Sequence, residues 1–544
     1  MGVCRTGGPP TSPMPDLRLD YISPLPPVRS GIADYSLDLL PALAALADVR
    51  LIRLPGQPVE PAIEARWPMA PFEAAGEDGR LLLYQMGNNR YHEAVRDLAL
   101  RKPGVLTLHD VVLHHLLLDL TLGRDDFDPY AEALERDHGW VGESIARVKR
   151  WGLFGDSPIF ALPAHRTLLR RQRGVLVHSE WAAGVVEEEA PGVRVRAIPM
   201  GVPLPPAVDR EAGRALRRRF GLPEDRPVLG SFGFQTPIKR TLAAIQALAA
   251  PGLEEVHLLI VGKVAGVLDL EGEARRAGVA DRVHIMGFVP YEDFEAAIAA
   301  VDLCLNLRHP SAGETSAALL RVLAAGCPAI VSDYAQFADL PPEVALRVPL
   351  GDEEPAALAA LLRDLLAHPE RLREMGAAAR EMVRTRHAPE RSAAAVVEAC
   401  QEWQDLDPPG DARPDEAAPS SATSRWLEGE IAVEGADLPW PEGERRRLRI
   451  HLRNRSVARW LAGERGTGGI AVAVQLVAAG RDFLADRPWL PLPQDLPPGA
   501  EAVLETEVRR PAGPPGSVEL IIEPHLFGGT GLSHLGGPLW QRAL

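Results

Sequence analysis

Arg308-His-Pro-Ser-Ala-Gly-Glu-Thr-Ser-Ala-Ala-Leu-Leu-Arg-Val-Leu-Ala-Ala-Gly-Cys-Pro-Ala-Ile-Val-Ser-Asp333 reads as the second half of a strand-loop-helix-strand unit. The apolar run Leu303 to Leu307 ends just ahead of it as a strand. Gly313 and Glu314 lie in the loop, Thr315 or Ser316 caps a helix, and Gly326 and Pro328 stop that helix before the next strand. A capped helix start offers unpaired amides beside a carboxylate. Amides can hold a diphosphate while Glu314 accepts hydrogen bonds from sugar hydroxyls, a pairing suited to a sugar nucleotide. An ordinary strand-loop-helix-strand unit also needs its cap, but it has no use for an exposed glutamate.

Working outward, the same alternation of short apolar runs with longer helical stretches extends from Leu17 to about Trp403, the pattern of an α/β protein with parallel sheets. One set of strands is expected at Leu17–Ile22, Val49–Leu54, Leu81–Gln85, Val105–Leu108, Gly174–His178 and Val195–Ile198. After the proline-rich stretch Pro203 to Val208 a second set begins, at Val228–Phe232, Val256–Val261, Val283–Gly287, Leu303–Leu307 and Ala329–Ser332. The restart predicts two Rossmann-like domains, 16–204 and 205–387, with a closing helix over 388–404. Residues 1–15 read as a disordered leader without the apolar core of a secretory signal. Residues 405–424, rich in Asp, Pro, Ala and Ser, read as a linker. Beyond it, runs such as Arg446–Leu452, Ala471–Val477, Ala502–Val508 and Ser517–Ile522 predict a small all-β sandwich over 425–544.

Composition narrows the function. At 544 residues the chain is long enough for about three to five domains. Its 74 acidic residues against 59 basic ones give a net charge of −15, so no global basic field draws nucleic acid, and no nucleic-acid partner is expected. Cys4, Cys304, Cys327 and Cys400 stand far apart and form no CxxC pair, which argues against a disulfide framework or a cysteine zinc site and for reduced, intracellular thiols. No stretch approaches the roughly 18 apolar residues of a membrane span. The expected location is the cytoplasm, with room for peripheral contact at the inner face of the membrane.

Two further segments carry candidate chemistry. Ser23-Pro-Leu-Pro-Pro-Val-Arg-Ser-Gly-Ile-Ala-Asp-Tyr35 follows the first strand and leads into a helix, and Gly31 at that turn lets a ligand approach the backbone at a helix N-terminus. The same prolines and glycine can also serve only to shape a loop. Thr107-Leu-His-Asp-Val111 puts an imidazole and a carboxylate directly after a strand, where open α/β sheets place their ligands. His109 can bond a substrate hydroxyl there, although a histidine in such a place is more often a satisfied structural residue. His114 and His115 have no third ligand at metal spacing. Asp126-Phe-Asp128 resembles a metal-binding DxD but sits in a charged loop, and reads as solvated.

Taken together, these segments resemble the retaining glycosyltransferases of the GT-B fold, specifically glycosyltransferase family 4, over roughly Leu17 to Trp403. Ile198-Pro-Met-Gly-Val202 at the domain crossing, Gly233-Phe-Gln-Thr-Pro-Ile-Lys239 after the first strand of the second domain, and Val261-Gly262 complete the match. The resemblance implies a donor site mostly in the second domain. Lys239 would neutralise the donor diphosphate, with Arg240 as a helper. Gly233 would belong to the phosphate loop, and Gly313 and Glu314 would contact the donor sugar. Thr315 and Ser316 would offer amides or hydroxyls to the phosphates, Gly31 would approach them from the first domain, and His109 would bond the transferred sugar. Three positions depart from the family: Phe234 stands where an arginine is usual, Met200 where asparagine is frequent, and Arg321 where a glutamate contacts the nucleotide ribose, with Glu314 displaced by one position from the first glutamate of that pair.

The implied activity is a hexosyltransferase-like, metal-independent transfer of a sugar from a nucleotide-sugar donor to a glycan or lipid-linked acceptor, in polysaccharide or glycoconjugate biosynthesis. No cofactor is expected. Positive charge on the departing diphosphate supplies the main stabilisation of an oxocarbenium-like state, and no flanking carboxylate pair of the glycosidase kind stands out in the sequence. Two alternatives stay open: a catalytically inactive relative that binds glycan or acts as a scaffold, which the departures at Arg321 and Phe234 keep open, and a GT-B nucleotide-sugar epimerase. The C-terminal region resembles the immunoglobulin-like sandwiches appended to some bacterial surface-polysaccharide enzymes, through Leu452-Arg-Asn-Arg-Ser-Val-Ala-Arg-Trp460 and Leu490-Pro-Leu-Pro-Gln-Asp-Leu-Pro-Pro-Gly499. Trp460, Trp489 and Trp540 there can stack on sugar rings or fill a core, and for tryptophans in a small sandwich the core is the commoner place.

Overall fold

Strands covered by helices on both faces are buried along their length rather than in alternation, and the central strands of the first sheet follow this. In the computed structural model, β1 (Arg18–Ile22), β2 (Asp48–Ile52), β3 (Met69–Ala70), β4 (Leu81–Met86), β5 (Val105–Leu108), β6 (Gly174–Val177) and β7 (Val195–Ala197) form a parallel sheet in the order 3-2-1-4-5-6-7. All six residues of β4 and all four of β5 and β6 are buried. The second sheet repeats the design with β8 (Val228–Phe232), β9 (His257–Val261), β10 (Val283–Gly287), β11 (Leu303–Asn306), β12 (Ala329–Ser332) and β13 (Ala345–Val348), in the order 10-9-8-11-12-13. Two Rossmann-like α/β domains in this arrangement define the GT-B fold. The structure describes residues 17–150, 157–205, 208–289, 291–410, 420–424, 426–462, 468–478, 481–482, 488–511, 513, 516–526 and 531–544. The leader 1–15, Cys4 and the middle of the 405–424 linker lie outside the described residues.

The lobes are joined twice. The chain crosses at Ile198–Val202, where the carbonyl oxygen of Met200 accepts a hydrogen bond from His387 Nδ1 at 3.0 Å and Val202 N donates to the His387 carbonyl at 2.9 Å. The helix Pro389–Trp403 then packs on the first lobe, against the helix Gly31–Ala44 and β6. A Cβ at Gly174 of β6 would fall 2.0 Å from the Trp403 ring, so only glycine fits beneath that indole. One buried apolar cluster accordingly runs through both lobes, including Leu39, Leu43, Val396, Cys400 and Trp403 as well as Leu319, Leu323 and Val331. Among the described residues, the first part of the predicted linker is docked rather than free. Arg170 Nε donates to the Gly410 carbonyl at 2.8 Å, and Arg194 Nη1 to that of Asp407 at 2.9 Å.

The C-terminal region is β-rich and antiparallel. β14 (Gly429–Glu434), β15 (Arg445–Asn454) and β19 (Glu501–Arg509) form one sheet. The second is built on β16 (Ile470–Ala478) and β20 (Val518–Leu526), with β17 (Arg481–Asp482), β18 (Trp489–Pro491) and β21 (Trp540–Ala543) at its edges. Burial alternates along β19 and β20 with the period of two that a one-sided sheet face requires. Trp460 is wholly buried and donates its Nε1 hydrogen to Ser456 Oγ at 3.2 Å, so it is a core residue; Trp489 is 43% exposed. The sandwich does not stand alone. Its apolar core continues into a cluster with Leu117, Tyr130, Leu134, Trp140 and Ile145 from the helical segment that follows β5.

Candidate functional site

The loops after β5 and β11 meet between the lobes, where Val112 N donates to the Ala312 carbonyl, and the loop after β11 is tied in turn to the loop after β8. In the loop after β8, Gly233 has φ +94° and Gly262 after β9 has φ +140°. A Cβ at Gly262 would lie 2.0 Å from the Gly233 carbonyl oxygen, which lets the two loops stack without side chains between them. Within this bend Lys239 folds back and donates from Nζ to the Phe232 carbonyl at 2.7 Å. It is 7% exposed, and burial, reinforced by the neighbouring Arg308, lowers its pKa to about 7, with Glu314 acting in the opposite direction. The loop after β11 is tied to this one by His309 N, which donates to the Ile238 carbonyl at 2.9 Å. Lys239, Arg308 and Glu314 therefore belong to one cluster, in which Glu314 pairs with Arg308.

Glu314 is held within its own loop. Its carboxylate accepts from the Arg308 guanidinium, from Ser311 Oγ at 3.1 Å and from Ala312 N at 3.0 Å. A carboxylate has about four lone-pair sites, so about one is left for a sugar hydroxyl. Arg308 was missed by the sequence reading, yet it is the second residue after β11, and its Nε is buried without a hydrogen-bond partner among the described residues. Phe234, by contrast, is 53% exposed. Arg308 therefore supplies a second cation near Lys239 that Phe234 cannot.

The other residues singled out in the sequence divide between the cleft and the scaffold. Arg240, in a left-handed conformation at φ 53°, bonds the fully buried Glu354 through Nε at 2.8 Å, which commits its guanidinium to the helix Glu354–Ala367. Ser316 caps the helix Ala317–Ala324, accepting from Leu319 N at 3.2 Å, and donates to Asn306 Oδ1. Thr315 beside it is half-buried. Gly313, at φ +78°, is required by closure. A Cβ there would fall 2.7 Å from Val111 and 2.8 Å from Trp181, both in the first lobe. Arg321 also crosses between lobes, pairing with Asp38 of the helix Gly31–Ala44 at 2.5 Å. Burial raises the Asp38 carboxyl to about 6 against the opposing pull of Arg321, with Asp34 adding to the rise.

On the facing lobe, Gly31 begins its helix with no positive φ, and a Cβ there would meet nothing within 4 Å. Neither backbone conformation nor protein packing requires this glycine, and the space above it is open. His109 Nε2 pairs with Gln85 Oε1 at 2.9 Å, and its ring packs edge-on against Tyr35 at 4.7 Å. Burial, helped by His178, holds its pKa well below the ordinary value, so the imidazole is neutral at pH 7. With Nε2 donating to Gln85, Nδ1 is the acceptor left for a hydroxyl. Next to it, Asp110 accepts Asn88 N on Oδ2 at 2.9 Å. Among the described residues no group of three His, Cys, Asp or Glu side chains could hold a metal ion, and no helix is long and apolar enough to cross a membrane.

A GT-B fold with a buried lysine beside a largely buried arginine in its second lobe is the class these features define. Comparison with known proteins agrees. The family described as "Glycosyl transferase-like" matches residues 239–398, a stretch that includes Lys239, Arg308, Glu314 and Arg321. Over 150 residues the chain is 33% identical to the 2-deoxystreptamine glucosyltransferase of Streptomyces kanamyceticus, covering 26% of this chain and 38% of that one. Over 274 residues it is 29% identical to the D-inositol 3-phosphate glycosyltransferase of Xylanimonas cellulosilytica, covering 47% and 64%. The matched stretches thus span less than two thirds of either relative. Sucrose-phosphate synthase from Thermosynechococcus elongatus superposes with a TM-score of 0.50 at 20% identity, over 71% of this chain and 98% of that one. Anabaena Alr3699/HepE, solved in complex with UDP, gives 0.51 at 16% identity, over 71% and 100%. At such identities the two structures share the fold.

Proposed function

We propose that the protein is a retaining glycosyltransferase that binds a nucleoside-diphosphate sugar between its lobes and transfers the sugar to a glycan or lipid-linked hydroxyl. One observation carries this reading: the buried Lys239 and the largely buried Arg308 lie together in the loops after β8 and β11, and among the described residues Glu314 is paired with Arg308 while Lys239 Nζ meets only a backbone carbonyl. Uncompensated buried charge is costly, and a diphosphate offsets that cost. As the bond from the anomeric carbon to the diphosphate lengthens, negative charge grows on the departing oxygen, and fixed cations stabilise it more in the transition state than in the ground state. No metal ion is needed for that step. His109 Nδ1 and the remaining lone pair of Glu314 would accept hydroxyls of the donor sugar. The neighbour Anabaena Alr3699/HepE was solved with UDP and also with UDP and glucose, which supports a nucleotide sugar as ligand. The reading is tested by screening nucleoside-diphosphate sugars for thermal stabilisation of the full-length protein, then assaying release of the nucleoside diphosphate from each hit. A donor that stabilises wild type but not Lys239→Ala, and is turned over, supports it; absence of stabilisation by any donor overturns it.

A further inference from the structure

The turn after β5 is where the lobes touch. Val112 N donates to the Ala312 carbonyl at 2.9 Å, and Val111 closes over Gly313 so tightly that no Cβ fits there. Asp110 and Glu314 flank these two contacts, one from each lobe, and Glu314 is the charge that Asp110 feels most strongly. The structure thus brings together two cleft carboxyls that lie about two hundred residues apart in sequence. Their surroundings differ. Glu314 is engaged by Arg308, Ser311 and Ala312, whereas Asp110 accepts one backbone amide on Oδ2, and its Oδ1 has no hydrogen-bond partner among the described residues.

We propose that Asp110 is a catalytic carboxylate whose Oδ1 accepts the proton of the acceptor hydroxyl during transfer. This rests on the glycosyltransferase reading. The acceptor oxygen bonds the anomeric carbon, the bond from that carbon to the diphosphate oxygen breaks, its electron pair leaves on the diphosphate opposite Lys239 and Arg308, and the proton moves to Asp110. The step differs from one in which the leaving phosphate itself takes the proton, and the difference is measurable. Burial, followed by the charge of Glu314, raises the Asp110 carboxyl to about 7, while the Asn88 amide and Arg308 pull the other way. A general base with a pKa near the working pH is well matched to proton transfer. The remaining groups around this turn are His109 on the turn itself, neutral at pH 7, His115, which bonds Asn88 Nδ2, and His165, which bonds the Val111 carbonyl.

The test is kcat against pH for full-length wild type, Asp110→Asn, Asp110→Glu and Glu314→Gln, using the donor selected by screening, with nucleoside-diphosphate affinity measured alongside. In wild type kcat rises with pH along an acidic limb, because the base works deprotonated. Asp110→Asn loses that limb and about 10²- to 10⁴-fold in kcat, with diphosphate affinity unchanged. Asp110→Glu recovers part of the rate. Glu314→Gln moves the limb to lower pH by removing the repelling charge. A limb that persists in Asp110→Asn with kcat within about tenfold of wild type overturns the proposal and returns the proton to the leaving phosphate. Equal losses in kcat and diphosphate affinity overturn it in favour of a structural role. A wild type that consumes no nucleotide sugar overturns the underlying reading, and that outcome is visible before any variant is made.

Discussion

Lys239 gives the proposed donor site a pH dependence whose size can be worked out. In the free protein its pKa is lowered to about 7, so at pH 7 about half the molecules carry the ammonium, at pH 8 about one in ten and at pH 9 about one in a hundred. A bound diphosphate favours the charged form and raises that pKa. Binding therefore takes up a proton wherever the free lysine is neutral, and affinity falls as pH rises above 7. Relative to pH 7, affinity is expected to be about 5-fold weaker at pH 8 and about 50-fold weaker at pH 9. Phosphate loses its second proton near pH 6, about a unit below this window. The assay is calorimetric titration of the nucleoside diphosphate in two buffers of different ionisation enthalpy, which counts protons: about half a proton taken up at pH 7 and nearly one at pH 8. Lys239→Arg, always charged, removes the slope. Lys239→Ala removes it as well and costs about 1.5 to 3 kcal/mol, or roughly 10- to 150-fold in affinity. A wild-type affinity that is flat between pH 7 and 9, or a slope that persists in both variants, would refute the reasoning.

Replacing His109 by Ala, or Glu314 by Gln, is expected to reduce transfer more than affinity for the free nucleoside diphosphate, because both are proposed to act on the sugar; the check is kcat beside a direct binding measurement. Exhaustive treatment with EDTA is expected to leave turnover unchanged, since Lys239 and Arg308 supply the positive charge, and a loss restored by a divalent ion would contradict this. Arg321→Ala leaves the partly buried Asp38 facing Asp34 without its cation. Ionised Asp38 is the disfavoured form in the fold, so the cost appears as pH rises through about 6: about 1 to 3 kcal/mol of stability lost at pH 8 and less at pH 5, read from denaturation curves. A chain ending at Asp407 retains both halves of the cleft and is expected to bind the nucleoside diphosphate. It should melt at a lower temperature than the full chain, because the apolar cluster shared by the sandwich and the segment around Leu134 and Trp140 loses its cover.

The parallel sheets were legible because burial on both faces writes an uninterrupted apolar run. β4 and β5, at Leu81–Met86 and Val105–Leu108, are such runs. β13, Ala345-Leu-Arg-Val348, escaped notice because it is an edge strand that exposes Arg347, and β14 and β21 carry no fully buried residue to announce a strand. In the site, Glu314 drew notice by its place in a loop between an apolar run and a capped helix, whereas Lys239 was singled out only through the family resemblance. What the sequence could not show was how distant parts meet. The left-handed backbone at Arg240 sends its guanidinium to a glutamate 114 positions on. Arg321 finds its partner on the opposite lobe 283 positions away. Asp110 was in view beside His109, but its pairing with Glu314 depends on closure of the lobes around Val111 and Gly313, and residues whose partners come from closure leave no local spacing to read.

The most direct test of a donor site between the lobes is a crystal structure of the full-length protein with the nucleoside diphosphate that stabilises it most. The account predicts diphosphate oxygens within about 3 Å of Lys239 Nζ and of the Arg308 guanidinium, and no protein side chain between the diphosphate and Gly31. A nucleoside diphosphate bound in the same lobe but away from Lys239 and Arg308, or held only by the C-terminal β-domain, would contradict it.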